Sequence, residues 1–218
     1  QSIGFRQCTR QVQVRRAASA ANAFSDNARA AWDWAASQGQ VSWLNEALDG
    51  LAGYYDWRVR YGPFRAADLT TLPYRDWTLL VQDVEKHYPP LRALLDRFDF
   101  LPRWRLDDLM VSVAAPGGSV GPHVDQYDVF LLQATGKRCW QIAENTDTAL
   151  LPDTELNVLK SFEPEQEWLL EPGDMLYLPP GIAHHGVALD QCMTWSIGLR
   201  AATSRPSVVA SGRARNRA

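Results

Sequence analysis

The sequence predicts a mainly β protein with helices near its N-terminus, built as a sandwich or barrel of short strands. From Trp57 onward, short runs of alternating or apolar residues follow one another at close intervals. Turn-forming Gly and Pro residues interrupt these runs, as at Gly62-Pro63, Pro116-Gly117-Gly118 and Pro179-Pro180-Gly181. Many short strands separated by tight turns are typical of all-β sandwiches and barrels. A chain of 218 residues can bury one substantial core, so we expect a single barrel domain.

The predicted strands follow one another along the chain, with one helix among the early ones. Apolar residues at helical spacing predict a helix over residues 90–98, and polar residues 151–165 predict a loop with a short helix. We expect a hairpin on either side of the turn at residues 135–137, and an antiparallel pair across Asp190-Gln191. Strands are predicted over residues 57–61, 78–84, 109–115, 129–134, 138–143, 168–170, 175–178, 187–189 and 193–199.

The two ends of the chain differ from the middle in composition. Residues 57–202 are expected to form the barrel domain, and residues 203–218 are small, polar and basic, which predicts a disordered tail. The first segment, residues 1–56, is expected to be partly helical. An Ala-rich stretch over residues 17–37 has helical spacing, and a second short helix is predicted over residues 42–50, capped by a serine and ended by a glycine. The alternative for this segment is a loosely ordered extension.

Composition excludes several classes of function. The net charge is −3 and the barrel region has no long basic block, which argues against direct nucleic-acid binding. No apolar run approaches the ~20 residues of a membrane-spanning helix, so no membrane partner is expected. Three widely spaced cysteines do not form a disulfide framework, which predicts a reducing, cytoplasmic setting.

A His and an Asp stand two residues apart at His123 and Asp125, next to a predicted strand. In extended backbone both side chains fall on one face of a sheet and converge on one point. A third ligand is available after the Pro-Pro-Gly turn, as His184 or His185, and successive side chains diverge, so only one is expected to face the metal. Two His and one carboxylate with open positions opposite are the ligands of non-haem Fe(II) oxygenases. The alternative is a group of solvent-exposed polar residues.

Arg138 begins the second strand of the predicted hairpin and is a candidate for binding a cosubstrate. A cosubstrate such as 2-oxoglutarate would bind iron through its keto-acid end, and its far carboxylate would need a fixed cation. The planar guanidinium of arginine pairs with a carboxylate through two parallel hydrogen bonds. Thr194 could add a hydroxyl to the same carboxylate. The alternative for Arg138 is an exposed charge on a hairpin.

An acidic pair and a tyrosine are candidates for binding a basic substrate. Asp107 and Asp108 precede a predicted strand, and Tyr127 lies two residues beyond Asp125. An acid and an aromatic ring at the mouth of a metal site would suit a cationic side chain through charge pairing and cation–π contact. The alternative is a solvated strand start with Tyr127 in the core.

Four motifs in the chain resemble those of the bacterial ribosomal oxygenases, a group of cupin-like, JmjC-type 2-oxoglutarate oxygenases. The resemblance covers about residues 57–206, and its most specific part is Gly-Pro-His-x-Asp-Gln-Tyr-Asp at residues 121–128. The motifs are WRLDDLM at residues 104–110, PGGSVGPHVDQYDVF at residues 116–130, TGKRCW at residues 135–140 and EPGDMLYLPPG at residues 171–181.

The resemblance implies a double-stranded β-helix that holds Fe(II) and uses 2-oxoglutarate and O₂ as cosubstrates. It implies that His123, Asp125 and His184 are the metal ligands and the catalytic residues, and that Arg138 holds 2-oxoglutarate. It also implies that four residues contact a substrate arginine, namely Asp108, Tyr127, Met110 and Ser196.

The activity implied by the resemblance is hydroxylation of an arginine side chain of a large-subunit ribosomal protein. Two alternatives remain open: an oxygenase of the same class acting on a histidine or a small molecule, or a metal-binding cupin fragment without turnover. Members of this family continue past the barrel into a helical dimerisation region and a winged-helix domain. This chain ends at Ala218 and is expected to lack that region.

Overall fold

The computed structural model describes residues 13–16, 42–48, 55–62, 64–144, 147–152, 154 and 156–200, with the backbone alone at residues 13–16, 42–48, 55–58 and 66. Its strands are β1 (Gln13–Arg16), β2 (Ser42–Leu48), β3 (Tyr55–Tyr61), β4 (Trp77–Val81), β5 (Leu106–Ala114), β6 (His123–Val124), β7 (Val129–Thr135), β8 (Arg138–Ala143), β9 (Gln166–Leu170), β10 (Asp174–Leu178), β11 (Ala183–Ala188) and β12 (Cys192–Leu199). Its helices are α1 (Ala66–Thr70), α2 (Val84–His87) and α3 (Pro89–Leu95), with 3₁₀ turns at Asp96–Phe98 and Arg103–Arg105.

The described strands form two antiparallel sheets. One has eight strands in the order β1-β10-β7-β12-β5-β4-β2-β3, and the other has four in the order β6-β11-β8-β9. From β5 onward the chain passes repeatedly between the two sheets, which is the winding of a double-stranded β-helix. The predicted mainly β, cupin-type fold is therefore confirmed.

Alternation along β5 separates the core from the cavity between the sheets. Leu109, Val111 and Val113 are buried against the helices that cover the outer face of the large sheet, in a cluster that includes Leu91 and Trp195. The residues between them on β5 point the other way and line the cavity. Successive side chains of a strand point to opposite faces, so one face of β5 packs in the core and the other lines the cavity.

The second core cluster lies between the two sheets. It joins Val129 and Leu131 of β7 to Trp140 of β8 and Leu176 of β10, all of them less than a tenth exposed. Several of these residues also line the cavity. Apolar packing between the sheets thus forms the floor and walls on which the polar site is built.

Two of the predicted elements are wrong. Residues 42–50 were predicted as a helix, but Ser42–Leu48 is a strand that pairs with β3 on one side and β4 on the other. The segments at 187–189 and 193–199 do not pair across Asp190-Gln191, because β11 belongs to the small sheet and β12 to the large one. In both cases long-range pairing overrides a local turn or cap signal.

Most of the other predicted elements agree with the structure where it describes them, and the short helix expected within residues 151–165 does not. The helix at 90–98 appears as α3 and the 3₁₀ turn that follows it, and β7 and β8 form the predicted hairpin. The predicted helix at 17–37 and the tail at 203–218 lie outside the described residues. Between residues 151 and 165 the described residues contain no helix, only the end of a bridge from Leu150 to Leu159. Within the described part of the chain, no helix has the length and apolar character needed to cross a membrane.

Candidate metal centre and active site

Three predicted ligands meet at the open end of the cavity. His123 of β6 and His184 of β11 lie directly opposite each other in the sheet, with ring centroids 4.2 Å apart. Asp125 follows β6, and its carboxylate oxygens lie 3.6 Å from Nε2 of His184 and 4.0 Å from Nε2 of His123. One ligand atom from each residue lies within 4.8 Å of the other two, which is close enough for all three to bind one ion.

Backbone carbonyls fix the orientation of both imidazoles. Nδ1 of His123 lies 2.9 Å from the carbonyl oxygen of Gly121, and Nδ1 of His184 lies 3.0 Å from that of Ile182. A proton on each Nδ1 donates to the carbonyl and leaves the Nε2 lone pair directed at the shared point. Gly121 has φ +80°, a left-handed conformation that suits glycine and presents its carbonyl to His123.

Burial acts in opposite directions on the histidine and on the carboxylate of this group. It lowers the pKa of His184 well below the ordinary value, and His123 adds to this effect, so the imidazole is neutral. Burial raises the pKa of Asp125, an effect that His123 and the Tyr127 hydroxyl oppose. A divalent cation would compensate the cost of burying this carboxylate. The set of two nitrogens and one carboxylate, open toward the cavity, fits Fe(II).

The choice between the adjacent histidines follows from strand alternation. His184 is 2% exposed and faces the cavity, whereas His185 points to the outer face of the small sheet. There its ring meets Phe162 edge to face, with centroids 6.0 Å apart. Burial lowers the pKa of His185 to about 4, so this residue is a neutral packing residue.

The cavity has a volume of about 400 Å³ and lies between the two sheets. The three predicted metal ligands, Arg138 and all four predicted substrate contacts line it. The volume is at the small end of the range for ligand pockets, large enough for a small dicarboxylate and one inserted side chain.

Arg138 lies at the floor of this cavity and is 3% exposed. Its Nη1 donates to the Ser112 hydroxyl at 3.4 Å, which is a weak contact. Its Nε and Nη2 atoms have no hydrogen-bond partner among the described residues. The guanidinium carbon stands 5.7 Å from the ring centroid of Trp140, whose buried Nε1 is also without a described partner. Buried donors without partners are costly, so this floor is built for an anion such as a carboxylate.

The structure places Thr194 differently from its predicted role. Its hydroxyl donates to Oε1 of Gln133 at 2.9 Å, and Gln133 in turn donates to the carbonyl oxygen of Thr135. Thr194 is not among the residues that line the cavity, whereas its strand neighbour Ser112 is. The hydroxyl beside Arg138 is therefore that of Ser112.

At the mouth of the cavity the structure separates the two predicted acids. Asp108 faces the cavity, whereas Asp107 turns outward to pair with Arg200 at 3.0 Å. Tyr127 lines the same mouth and is 41% exposed, so it is not a core residue. Burial and the charge of Asp125 are the first causes that raise the pKa of Tyr127 to about 12, which keeps its hydroxyl protonated.

Sequence reasoning missed the part played by Trp140. Its ring packs between the metal ligand His184, 5.9 Å away, and the guanidinium of Arg138. Gly186 of the neighbouring strand makes this possible, because a Cβ there would lie 2.7 Å from the Trp140 ring. A glycine two residues after the ligand histidine, opposite an aromatic residue, is the signal that could have indicated this contact.

Comparison with known proteins agrees with this arrangement. The JmjC domain profile matches residues 93–206. The chain is 46% identical over 150 residues to the Ribosomal protein uL16 3-hydroxylase of Escherichia coli, a match that covers 68% of this chain and 40% of the relative. It is 43% identical over 148 residues to a Probable ribosomal oxygenase of Haemophilus influenzae, covering 66% of this chain and 36% of the relative. The chain thus spans about two fifths of the length of these curated relatives.

Solved structures give the same result for the fold. The structure of YcfD, a ribosomal oxygenase from E. coli, in complex with cobalt and 2-oxoglutarate matches with a TM-score of 0.66 at 41% identity, covering 81% of this chain and 44% of that one. A second X-ray structure of E. coli YcfD matches with a TM-score of 0.70 at 41% identity, covering 81% of this chain and 46% of that one.

Proposed function

The chain belongs to the JmjC domain family, and on that premise we propose that it forms the oxygenase core of an Fe(II)- and 2-oxoglutarate-dependent enzyme that hydroxylates an arginine side chain of a ribosomal protein. One observation carries the proposal. A buried arginine with unpaired donors, Arg138, shares a single cavity with a convergent triad of His123, Asp125 and His184.

The bound iron and cosubstrates would supply oxidative decarboxylation: one oxygen atom of O₂ enters a substrate C–H bond, and the other enters succinate as CO₂ leaves. The protein residues orient the reactants. Arg138 and Ser112 would receive the far carboxylate of 2-oxoglutarate through charge-assisted and neutral hydrogen bonds. Thr194 would contribute through its backbone carbonyl, which accepts from the Ser112 hydroxyl at 3.4 Å. The apolar walls around the site exclude water from the reaction.

Two further features support a protein substrate with an arginine side chain. One relative is named as a 3-hydroxylase of ribosomal protein uL16, and another as a probable ribosomal oxygenase. At the mouth of the cavity the Asp108 carboxylate and the Tyr127 ring offer a negative charge and an aromatic face to a guanidinium. Met110 and Ser196 line the same path and would contact the aliphatic part of the side chain.

Mass spectrometry of uL16 incubated with the chain, Fe(II), 2-oxoglutarate and O₂ tests this function. We expect the mass of one added oxygen atom, located on an arginine by fragmentation, and no addition with the Asp125→Ala variant. An oxygen located on a histidine would support the alternative target. No addition to uL16 in spite of 2-oxoglutarate turnover would contradict the proposed substrate.

The arginine proposal predicts a pH dependence through Asp108. Burial raises the pKa of Asp108 to about 6, and the negative charges of Asp83, Glu85 and Asp107 add to this effect while Lys86 opposes it. Since only the ionised carboxylate pairs with a guanidinium, KM for an arginine peptide should rise roughly tenfold for each pH unit below about 6. The measurement is the pH profile of KM. The Asp108→Asn variant is the comparison, and its KM should be high and should not rise further below pH 6.

The same shift has an effect on stability with a defined sign. Because the pKa of folded Asp108 lies above the ordinary value of 3.8, its ionisation destabilises the folded state at all pH values above about 4. The Asp108→Asn variant should therefore melt at a higher temperature at pH 7, with a gain of at most ~1 kcal/mol because the group is partly exposed. An equal gain at pH 3 would contradict this explanation.

A further inference from the structure

The position of the Asp108 carboxylate depends on a glycine that lies against it. Gly198 of β12 lines the cavity, and a Cβ built on it would lie 2.9 Å from Oδ1 of Asp108. The next atoms it would meet are the backbone oxygen of Asp108 and Cε2 of Tyr127, both at 3.9 Å. The carboxylate thus rests directly on the bare α-carbon of Gly198, beside the tyrosine ring.

The conformation of the backbone does not explain a glycine here. Gly198 is not among the glycines with positive φ, so alanine can adopt its backbone conformation without the strain of the left-handed region. The residue lies where the pairing of β12 with β5 shifts register, between Ile197 and Leu199. What the position requires is space, and the atom that occupies this space is the Asp108 carboxylate oxygen.

The residues on either side of Asp108 hold its backbone in place. The amide of Leu109 donates to Oε2 of the buried Glu85 at 3.0 Å, in a place where β4 no longer pairs with β5. The side chain of Asp107 is paired with Arg200 at 3.0 Å. With both neighbours fixed, a methyl group on Gly198 would displace the carboxylate rather than the strand.

We infer that Gly198 is a positioning residue that determines specificity, because its bare α-carbon seats the Asp108 carboxylate next to Tyr127 in the geometry that selects a cationic side chain. The inference rests on the proposed arginine hydroxylase function. It assigns to Gly198 no contact with the metal or with 2-oxoglutarate, since the atoms nearest to its Cβ position belong to Asp108 and Tyr127.

Gly198→Ala tests this assignment with two matched peptides, one with arginine and one with its neutral isostere citrulline. The wild type should prefer arginine in kcat/KM, and Gly198→Ala should reduce kcat/KM for arginine at least tenfold and bring the ratio of the two peptides close to one. Peptide affinity measured without O₂, with Mn²⁺ and 2-oxoglutarate bound, should show the same loss. The affinity for 2-oxoglutarate alone should stay within about twofold of the wild type.

A double-mutant cycle with Asp108→Asn separates positioning from general damage to the strand. If Gly198 acts through the carboxylate, Gly198→Ala has no further effect in the Asp108→Asn background. The same loss in both backgrounds, or an arginine-to-citrulline ratio that Gly198→Ala leaves unchanged, would overturn the inference. Ile197→Val, which trims a core side chain on the same strand, is the control and should keep the ratio. If the wild type hydroxylates neither peptide, the proposed function fails instead.

Discussion

Replacing His184 by alanine is expected to abolish metal-dependent turnover of 2-oxoglutarate to succinate. The residue is 2% exposed, its Nε2 lies 3.6 Å from the Asp125 carboxylate, and its Nδ1 is fixed by a backbone carbonyl. Its loss leaves two ligands and an empty volume beside Trp140. Since loss of a group that only supports a ligand weakens metal binding by about 10- to 100-fold, loss of the ligand itself should cost more than ~100-fold.

The adjacent histidine provides a matched control for this experiment. His185 is in the same strand, but it points to the outer face and packs on Phe162. His185→Ala should therefore keep metal affinity and turnover within a few fold of the wild type, with a modest fall in melting temperature. Metal affinity is measured by calorimetry with Mn²⁺, and turnover by succinate release with Fe(II). Loss of both in His185→Ala, with both retained in His184→Ala, would exchange the roles given to the two residues.

Local geometry accounts for part of the candidate metal centre. The spacing of His123 and Asp125 places both on one side of extended backbone, and this geometry needs no knowledge of the rest of the fold. Local spacing leaves the choice between His184 and His185 open, because it depends on the phase of β11, and only the resemblance to the family implies His184. Strand β11 begins at Ala183, ahead of both histidines, and its alternation turns the His184 side chain toward the cavity.

Contacts between distant strands were predicted less well. The segments on either side of Asp190-Gln191 have the sequence of a hairpin, yet β11 and β12 belong to different sheets. Pairing of β12 with β5 and β7 is also what turns the Thr194 hydroxyl toward Gln133 and leaves Ser112 beside Arg138. A register between strands that are 80 residues apart cannot be obtained from local periodicity.

The surroundings of Asp108, including Gly198, were predictable only in part. The acidic pair was recognisable in the sequence, but only alternation along β5 and the pairing of Asp107 with Arg200 show that a single acid faces the cavity. The closeness of Gly198 to Asp108 is a property of the assembled sheet. For Gly186, a glycine opposite an aromatic residue indicates a close contact across the strands, whereas no local pattern indicates the contact of Gly198 with Asp108.

The second large effect is expected at Arg138, where methionine should remove most of the affinity for 2-oxoglutarate. A charge-assisted, two-pronged pairing with a carboxylate is lost, which should raise the dissociation constant by about 100-fold. The variant should also cease to distinguish 2-oxoglutarate from a 2-oxo acid that lacks the second carboxylate. Lys137→Met is the matched control, because Lys137 is half exposed and pairs with Glu171 at 2.7 Å outside the cavity.

Thermal stability gives a readout of Arg138 that does not depend on turnover. This guanidinium is 3% exposed, and two of its nitrogen atoms have no partner among the described residues, so Arg138→Met removes a buried charge and should raise the melting temperature measured without ligand. The wild type should gain stability when 2-oxoglutarate and Mn²⁺ are added, and the variant should lose most of this gain. An equal ligand-induced shift in both proteins would show that the far carboxylate binds elsewhere. A lower melting temperature of the ligand-free variant would mean that Arg138 is already paired in the free protein, and that the floor of the cavity is not held ready for an anion.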